Sequence, residues 1–158
     1  MLNPILPHIT ALTERLKNEY EAHFFYRNAA NWCANKGYDK AAAFFAAEAA
    51  SELTHADKIQ KFITDWGNDV SIPAISVSED FESLPDIIGK AYDIESALYQ
   101  AYDKCASDLY VDRSYFNLML EFVGIQRDSV AEYRTMVDKL DLVGEDKTSI
   151  FIYENEVF

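Results

Sequence analysis

Four long stretches of this sequence repeat apolar residues at alternating spacings of three and four. Each repeat is interrupted near its middle by a polar residue. Such spacing belongs to helices that pack lengthwise against one another. The first stripe reads Ile9, Leu12, Leu16, Glu19, His23, Tyr26, Ala30, Cys33, and the second Phe45, Ala49, Glu52, Ala56, Ile59, Ile63. The third is Leu84, Ile88, Ala91, Glu95, Leu98, Tyr102, Cys105, Leu109, and the fourth Phe116, Met119, Val123, Gln126, Val130, Tyr133, Val137, Leu140. A chain patterned in this way is all-α and folds as a four-helix bundle.

Breakers divide the stripes. Gly37 can end the first helix and Asp39 can cap the second. Gly67-Asn68 ends the second, and the segment to Ser83 lacks a helical period. Ser83, with Asp86 three residues on, resembles a capping box, Asp112 can cap the fourth helix, and Gly144 can close it. The expected helices are therefore about 4–36, 39–66, 83–111 and 113–142, with a short terminal element at about 146–156. The two short connections make antiparallel pairs. The middle connection of roughly 16 residues can reach roughly 50 Å, longer than a 28-residue helix at about 42 Å. It can cross the whole bundle and leave the second and third helices parallel, an up-up-down-down arrangement in a single domain spanning 1–158.

Measured from Gly37, Glu19 lies 18 residues back and Glu52 15 forward; measured from Asp112, Glu95 lies 17 back and Gln126 14 forward. The two hairpins repeat one layout, so the four polar groups meet within about one helical turn. His55, three residues after Glu52, leans into the same space. A single Glu on a seam would more simply indicate a misplaced register, and a single His a packed core residue. Four interruptions at one level are not accounted for that way. Three carboxylates cannot share a dry core as isolated anions, and no Lys or Arg lies on any seam to pair them. Carboxylates with an imidazole suit iron or manganese. Glu52, the most central, would bridge two ions. Glu19 and His55 would complete the first site, Glu95 the second, and Gln126 would offer it a neutral oxygen.

Composition narrows the partners. The chain has 158 residues and a formal charge of −13, so nucleic acid and anionic membranes are unfavourable. The start, M-L-N-P-I-L-P-H, has no basic region before an apolar run, and no stretch is apolar enough to span a membrane. Cys33 and Cys105 fit neither a CxxC motif nor a disulfide framework, and read as reduced core residues of a cytoplasmic protein.

The pattern Glu19…Tyr26…Glu52-x-x-His55…Glu95…Gln126 resembles the ferroxidase centre of non-haem bacterial ferritins, in the ferritin-like di-iron family. The likeness covers nearly the whole chain, including N-x-x-A-N-W-C, A-A-A-F-F and the tail S-I-F-I-Y-E-N-E, which is similar to the short fifth helix of ferritins. The resemblance implies a homo-oligomeric cage of roughly 24 subunits. It further implies two irons per subunit, and oxidation of Fe(II) by O2 or H2O2 ahead of a ferric mineral. Glu19, Glu52 and His55 would bind the first iron, and Glu52 and Glu95, with Gln126 nearby, the second. Tyr26 would hydrogen-bond a ligand or donate an electron, with plain seam packing as its simpler role.

The departures from the pattern also carry information. Gln126-x-x-Ser129 stands where bacterioferritins and rubrerythrins place a second Glu-x-x-His or extra carboxylates, and Leu53 stands at a haem-ligand methionine position, so no haem is expected. Ser51, Ile125 and Ser129 occupy third-iron positions, so that site is expected to be missing. Thr54 replaces a cavity carboxylate, and Asp57 keeps part of that surface. His23 would pack in the bundle or at a subunit contact, and Glu48 would lie beside the centre on the solvated face. Glu132 and Asp128 read as surface charge, and Tyr20, Tyr92, Tyr99 and Tyr110 as core and interface. Two rival functions stay open: a di-iron oxidase or peroxidase that stores no mineral, and a cage subunit with an impaired centre.

Overall fold

The computed structural model describes residues 3–77, 80–108 and 111–158. After a 3-10 turn at Leu6–His8 come α1 (Ile9–Lys36), α2 (Asp39–Asp65), α3 (Leu84–Ala106), α4 (Arg113–Leu140) and the short α5 (Lys147–Val157). The all-α four-helix bundle with its long crossover and fifth helix is therefore the observed fold.

Local chemistry explains most of the boundaries. Gly37 adopts φ 85° and Gly67 φ 73°. At each, two backbone bonds close a Schellman motif: Gly37 N to Ala34 O with Tyr38 N to Cys33 O, and Gly67 N to Thr64 O with Asn68 N to Ile63 O. Ser83 Oγ accepts from Asp86 N at 3.1 Å, while the Asp86 carboxylate accepts from Glu82 N at 3.1 Å. Asp112 accepts from Ser114 N and Tyr115 N and opens α4.

Several boundaries differ from the sequence reading. The first helix begins at Ile9 rather than near residue 4, because Pro4 and Pro7 lack amide donors and the chain there forms a 3-10 turn. Asp39 does not cap α2; Tyr38 is the cap residue and its side chain makes no capping bond. The acceptor comes from α5, where Glu154 Oε1 takes Lys40 N at 2.8 Å and Ala41 N at 3.0 Å. The third helix ends at Ala106, not 111, and Ser107 Oγ bonds back to Asp103 O, a local alternative to a further helical turn. Seam member Leu109, like Tyr110, lies outside the described residues. Gly144 does not close α4, which ends at Leu140; a Cβ there would come within 2.8 Å of Asp146 Oδ2, the residue that caps α5.

Side-chain partners set the directions. Tyr20 meets Gln60 and Tyr26 meets Phe45, so α2 runs against α1. Arg15 meets Cys105 and Tyr26 meets Glu95, so α3 also runs against α1 and parallel to α2. Lys58 meets Glu121 and Tyr133 meets Glu48, so α4 runs against α2. The order is up-down-down-up rather than up-up-down-down, because two antiparallel hairpins are joined by one full-length crossover.

The seams of α1 to α3 are buried largely as read; Ile9 and His23 are only half-buried. On α4 the buried face is rotated: Tyr115, Leu118, Met119, Phe122, Gln126, Tyr133 and Met136 are inside, while Phe116, Val123, Val130, Val137 and Leu140 are half-buried. The large rings decide this, since Tyr115 stacks on His8 and Phe122 on Tyr102. Both cysteines are buried and free. Burial pushes the Cys33 thiol up to about 12, which makes it inert. Among the described residues, no helix is long and apolar enough to cross a membrane.

Candidate metal centre

The four seam interruptions are all buried and fall into two bonded groups. Glu19, Glu95 and Gln126 are 0 % exposed and Glu52 3 %. Glu19, Glu52 and His55 each present a ligand atom within 4.8 Å of the others. His55 Nδ1 is 3.0 Å from Glu52 Oε2 and 3.5 Å from Glu19 Oε2. On the other side Gln126 Nε2 donates to Glu95 Oε2 and Tyr26 OH to Glu95 Oε1, each at 2.5 Å. Tyr102 OH donates to Glu19 Oε1. Tyr26 is clamped between Phe45 and Tyr133, with ring centroids 6.1 Å away on each side.

Burial and mutual contact shift the titration of every member of the cluster. Burial penalises the His55 cation, but Glu19 and Glu52 outweigh it and raise His55 to about 10. Burial would likewise raise Glu19, yet bonding from His55 and the neighbouring Glu52 holds it below its ordinary value. Burial pushes Glu52 well up, against His55 and with Glu19 and Glu95 adding to the rise. Burial also raises Glu95, with Tyr26 and Gln126 pulling it back. His55 is thus held in its charged form beside Glu19 and Glu52, while burial shifts Glu52 and Glu95 toward their uncharged forms.

The donor set fits a hard or borderline divalent cation. Among the described residues, Glu19 Oε2 and Gln126 Oε1 are buried with no hydrogen-bond partner, an arrangement that costs free energy unless something else is bound there. A cation replacing the protons would satisfy both atoms and the carboxylates together.

Other positions divide. His23 Nδ1 is bonded to Ala49 O at 2.6 Å, so that nitrogen carries its proton and serves packing rather than the cluster. Ser51 is exposed, Ile125 and Ser129 half-buried, and none supplies a carboxylate. Leu53, Thr54 and Asp57 are exposed, as are Asp128 and Glu132. Glu48 is not on the solvated face: it is half-buried and accepts from Tyr133 OH at 3.3 Å. Burial, then Glu132 and Glu95, raise it to about 7. Tyr20 accepts from Gln60, and Tyr92 and Tyr99 are half-buried. The bond of Tyr102 to Glu19 is absent from the sequence reading; its signal was the spacing of seven from Glu95, the same as from Glu19 to Tyr26.

The fold and this cluster define an α-helical bundle protein with an intrachain carboxylate–histidine centre. A family model described as Ferritin-like domain matches residues 9–143, and the chain belongs to the ferritin family. It is 26 % identical over 152 residues to the bacterial non-heme ferritin of Campylobacter jejuni, covering 94 % of this chain and 91 % of that one. It is also 26 % identical over 163 residues to that of Escherichia coli O6:H1, covering 99 % and 96 %. Among solved structures, an open pore ferritin from Archaeoglobus fulgidus superposes with TM-score 0.88 at 21 % identity, covering 96 % of this chain and 94 % of that chain, a likeness of fold.

Proposed function

We infer that this protein oxidises Fe(II) to Fe(III) at a two-iron centre within each subunit and stores the product as a ferric mineral inside a homo-oligomeric cage of roughly 24 subunits. Membership of the ferritin family supports iron storage in general. The observation that supports the finer reading is the buried triad of Glu19, Glu52 and His55, with Glu95 and Gln126 also buried and bonded to each other. Glu19, Glu52 and His55 hold the first iron. Glu52 bridges to the second, which Glu95 binds with Gln126 Oε1 beside it. Each Fe(II) gives up one electron; two electrons and two protons convert O2 to H2O2, or H2O2 to water. Carboxylate ligands favour the higher charge of Fe(III). Tyr26 holds Glu95 in place. No haem takes part, and the chain works as one domain in the cytoplasm.

The absence of carboxylates at Ser51, Ile125 and Ser129 favours a second reading, an oxidase or peroxidase that passes iron on without a mineral. Stopped-flow oxidation at two Fe(II) per subunit, on wild type and Glu52→Ala, tests the centre. Fast oxidation in the wild type and its loss in the variant is the expected result. Equal, slow rates in both would remove the ferroxidase reading. Larger iron additions, followed by isolation of the protein, then separate storage from oxidation alone.

A further inference from the structure

The antiparallel helices α1 and α3 carry the same local pattern. On each, a buried Glu is followed seven residues later by a buried Tyr: Glu19 and Tyr26, Glu95 and Tyr102. Seven residues are two turns, about 10.5 Å of rise. Because the helices run in opposite directions, the pairs exchange partners. Tyr26 donates to Glu95, and Tyr102 donates to Glu19. A local two-fold relation therefore gives each terminal carboxylate of the centre its own phenol.

Packing holds Tyr102 in that role. It is fully buried and lies flat against Phe122, centroids 4.6 Å apart and planes 5° apart. Phe122 in turn sets its edge against His55 at 5.8 Å. The ring cannot swing away without opening the core. A Phe would fill the same space, and a buried hydroxyl is costly unless bonded; the bond it makes is to Glu19. With Oε1 of Glu19 occupied by the phenol, Oε2 has no hydrogen-bond partner among the described residues and lies 3.5 Å from His55 Nδ1.

We propose that Tyr102 is a positioning residue for the first metal site, holding Glu19 so that a single oxygen, Oε2, is turned to the cation. The proposal rests on the two-metal reading above. Tyr26 likewise bonds one oxygen of Glu95 at the second site, but there Gln126 Nε2 takes the other, so the two sites differ both in His55 against Gln126 and in how far their terminal carboxylates are bonded. Outer partners of metal ligands commonly alter affinity by about 10–100-fold.

The test is anaerobic titration with Co(II), read by calorimetry and by its visible absorption, on wild type, Tyr102→Phe, Tyr26→Phe and His55→Ala. Wild type is expected to bind two ions per chain. Tyr102→Phe should weaken about tenfold or more the same site that His55→Ala removes, leaving the other intact, and Tyr26→Phe should weaken the other. Glu19→Gln should make Tyr102→Phe silent. Tyr102→Phe binding both ions as wild type does would overturn the proposal while leaving the two-metal reading standing. Wild type binding no more Co(II) than Glu52→Ala would remove both. Should Tyr102→Phe not fold, the tyrosine difference spectrum of wild type still decides. It must change with each of two Co(II) equivalents, and change with one alone overturns the assignment.

Discussion

His55 Nδ1 lies 3.0 Å from Glu52 Oε2, one turn back along α2, and the same nitrogen is 3.5 Å from Glu19 Oε2. The imidazole thus stands between two carboxyls that cannot both be charged in a dry interior. A divalent cation bound there must displace the proton that the raised His55 carries. Calorimetry with Zn(II) in buffers of different ionisation heat should therefore show net proton release at pH 7. The apparent affinity should rise with pH, because His55 holds its proton up to about 10. Zero proton release would refute a protonated His55.

The same protons govern stability of the chelated protein. His55 is raised from 6.5 to about 10 in the fold, so its stabilising contribution is complete below 6.5 and disappears as pH rises through about 10. Glu52, also raised, acts in the same direction. Thermal midpoints should fall between pH 7 and 10. In His55→Gln, whose side chain does not titrate, the fall should be much shallower; an unchanged slope would count against this assignment.

Glu48 gives a second pH signature at a lower window. Its carboxyl is raised from 4.5 to about 7, first by burial, so the folded state binds more protons than the unfolded chain and stability declines as pH rises from 4.5 through 7. Glu48→Gln removes that decline. Its stability relative to wild type should improve from pH 5 to pH 8 in urea titrations, and a constant difference would mean that Glu48 titrates normally.

Glu154 accepts two backbone amides at the start of α2 and is 2 % exposed. Glu154→Ala leaves both donors without their acceptor and should cost about 2–4 kcal/mol by chemical denaturation. Glu154→Gln keeps an acceptor oxygen and should cost clearly less. Equal losses in the two variants would show that packing of α5, not the cap, sets the effect.

Much of this was legible in the sequence because it is periodic or local. Stripes at three and four place Glu19, Glu52, Glu95 and Gln126 on inner faces, and helix rise places them at one level. Gly37 and Gly67 end helices because a left-handed residue strongly favours a glycine. Asp112 and Ser83 cap because their partners are two or three residues away. The rotated face of α4 was not legible: Phe116 and Tyr115, or Val123 and Phe122, are equally apolar neighbours, and only stacking on Tyr102 and His8 chooses between them.

The sequence by itself determined that four helices form, that two hairpins share one layout, and that three carboxylates and an amide face inward at one height. The tertiary structure alone decided which groups meet across helices. Glu154 reaches the amide of Ala41 across 113 residues of chain, and Tyr102 reaches Glu19 across 83. The physical reason is that periodicity sets only the direction of a side chain from its own axis. A hydrogen bond also requires the relative height, rotation and direction of a second helix, which are set by the packing of all the others.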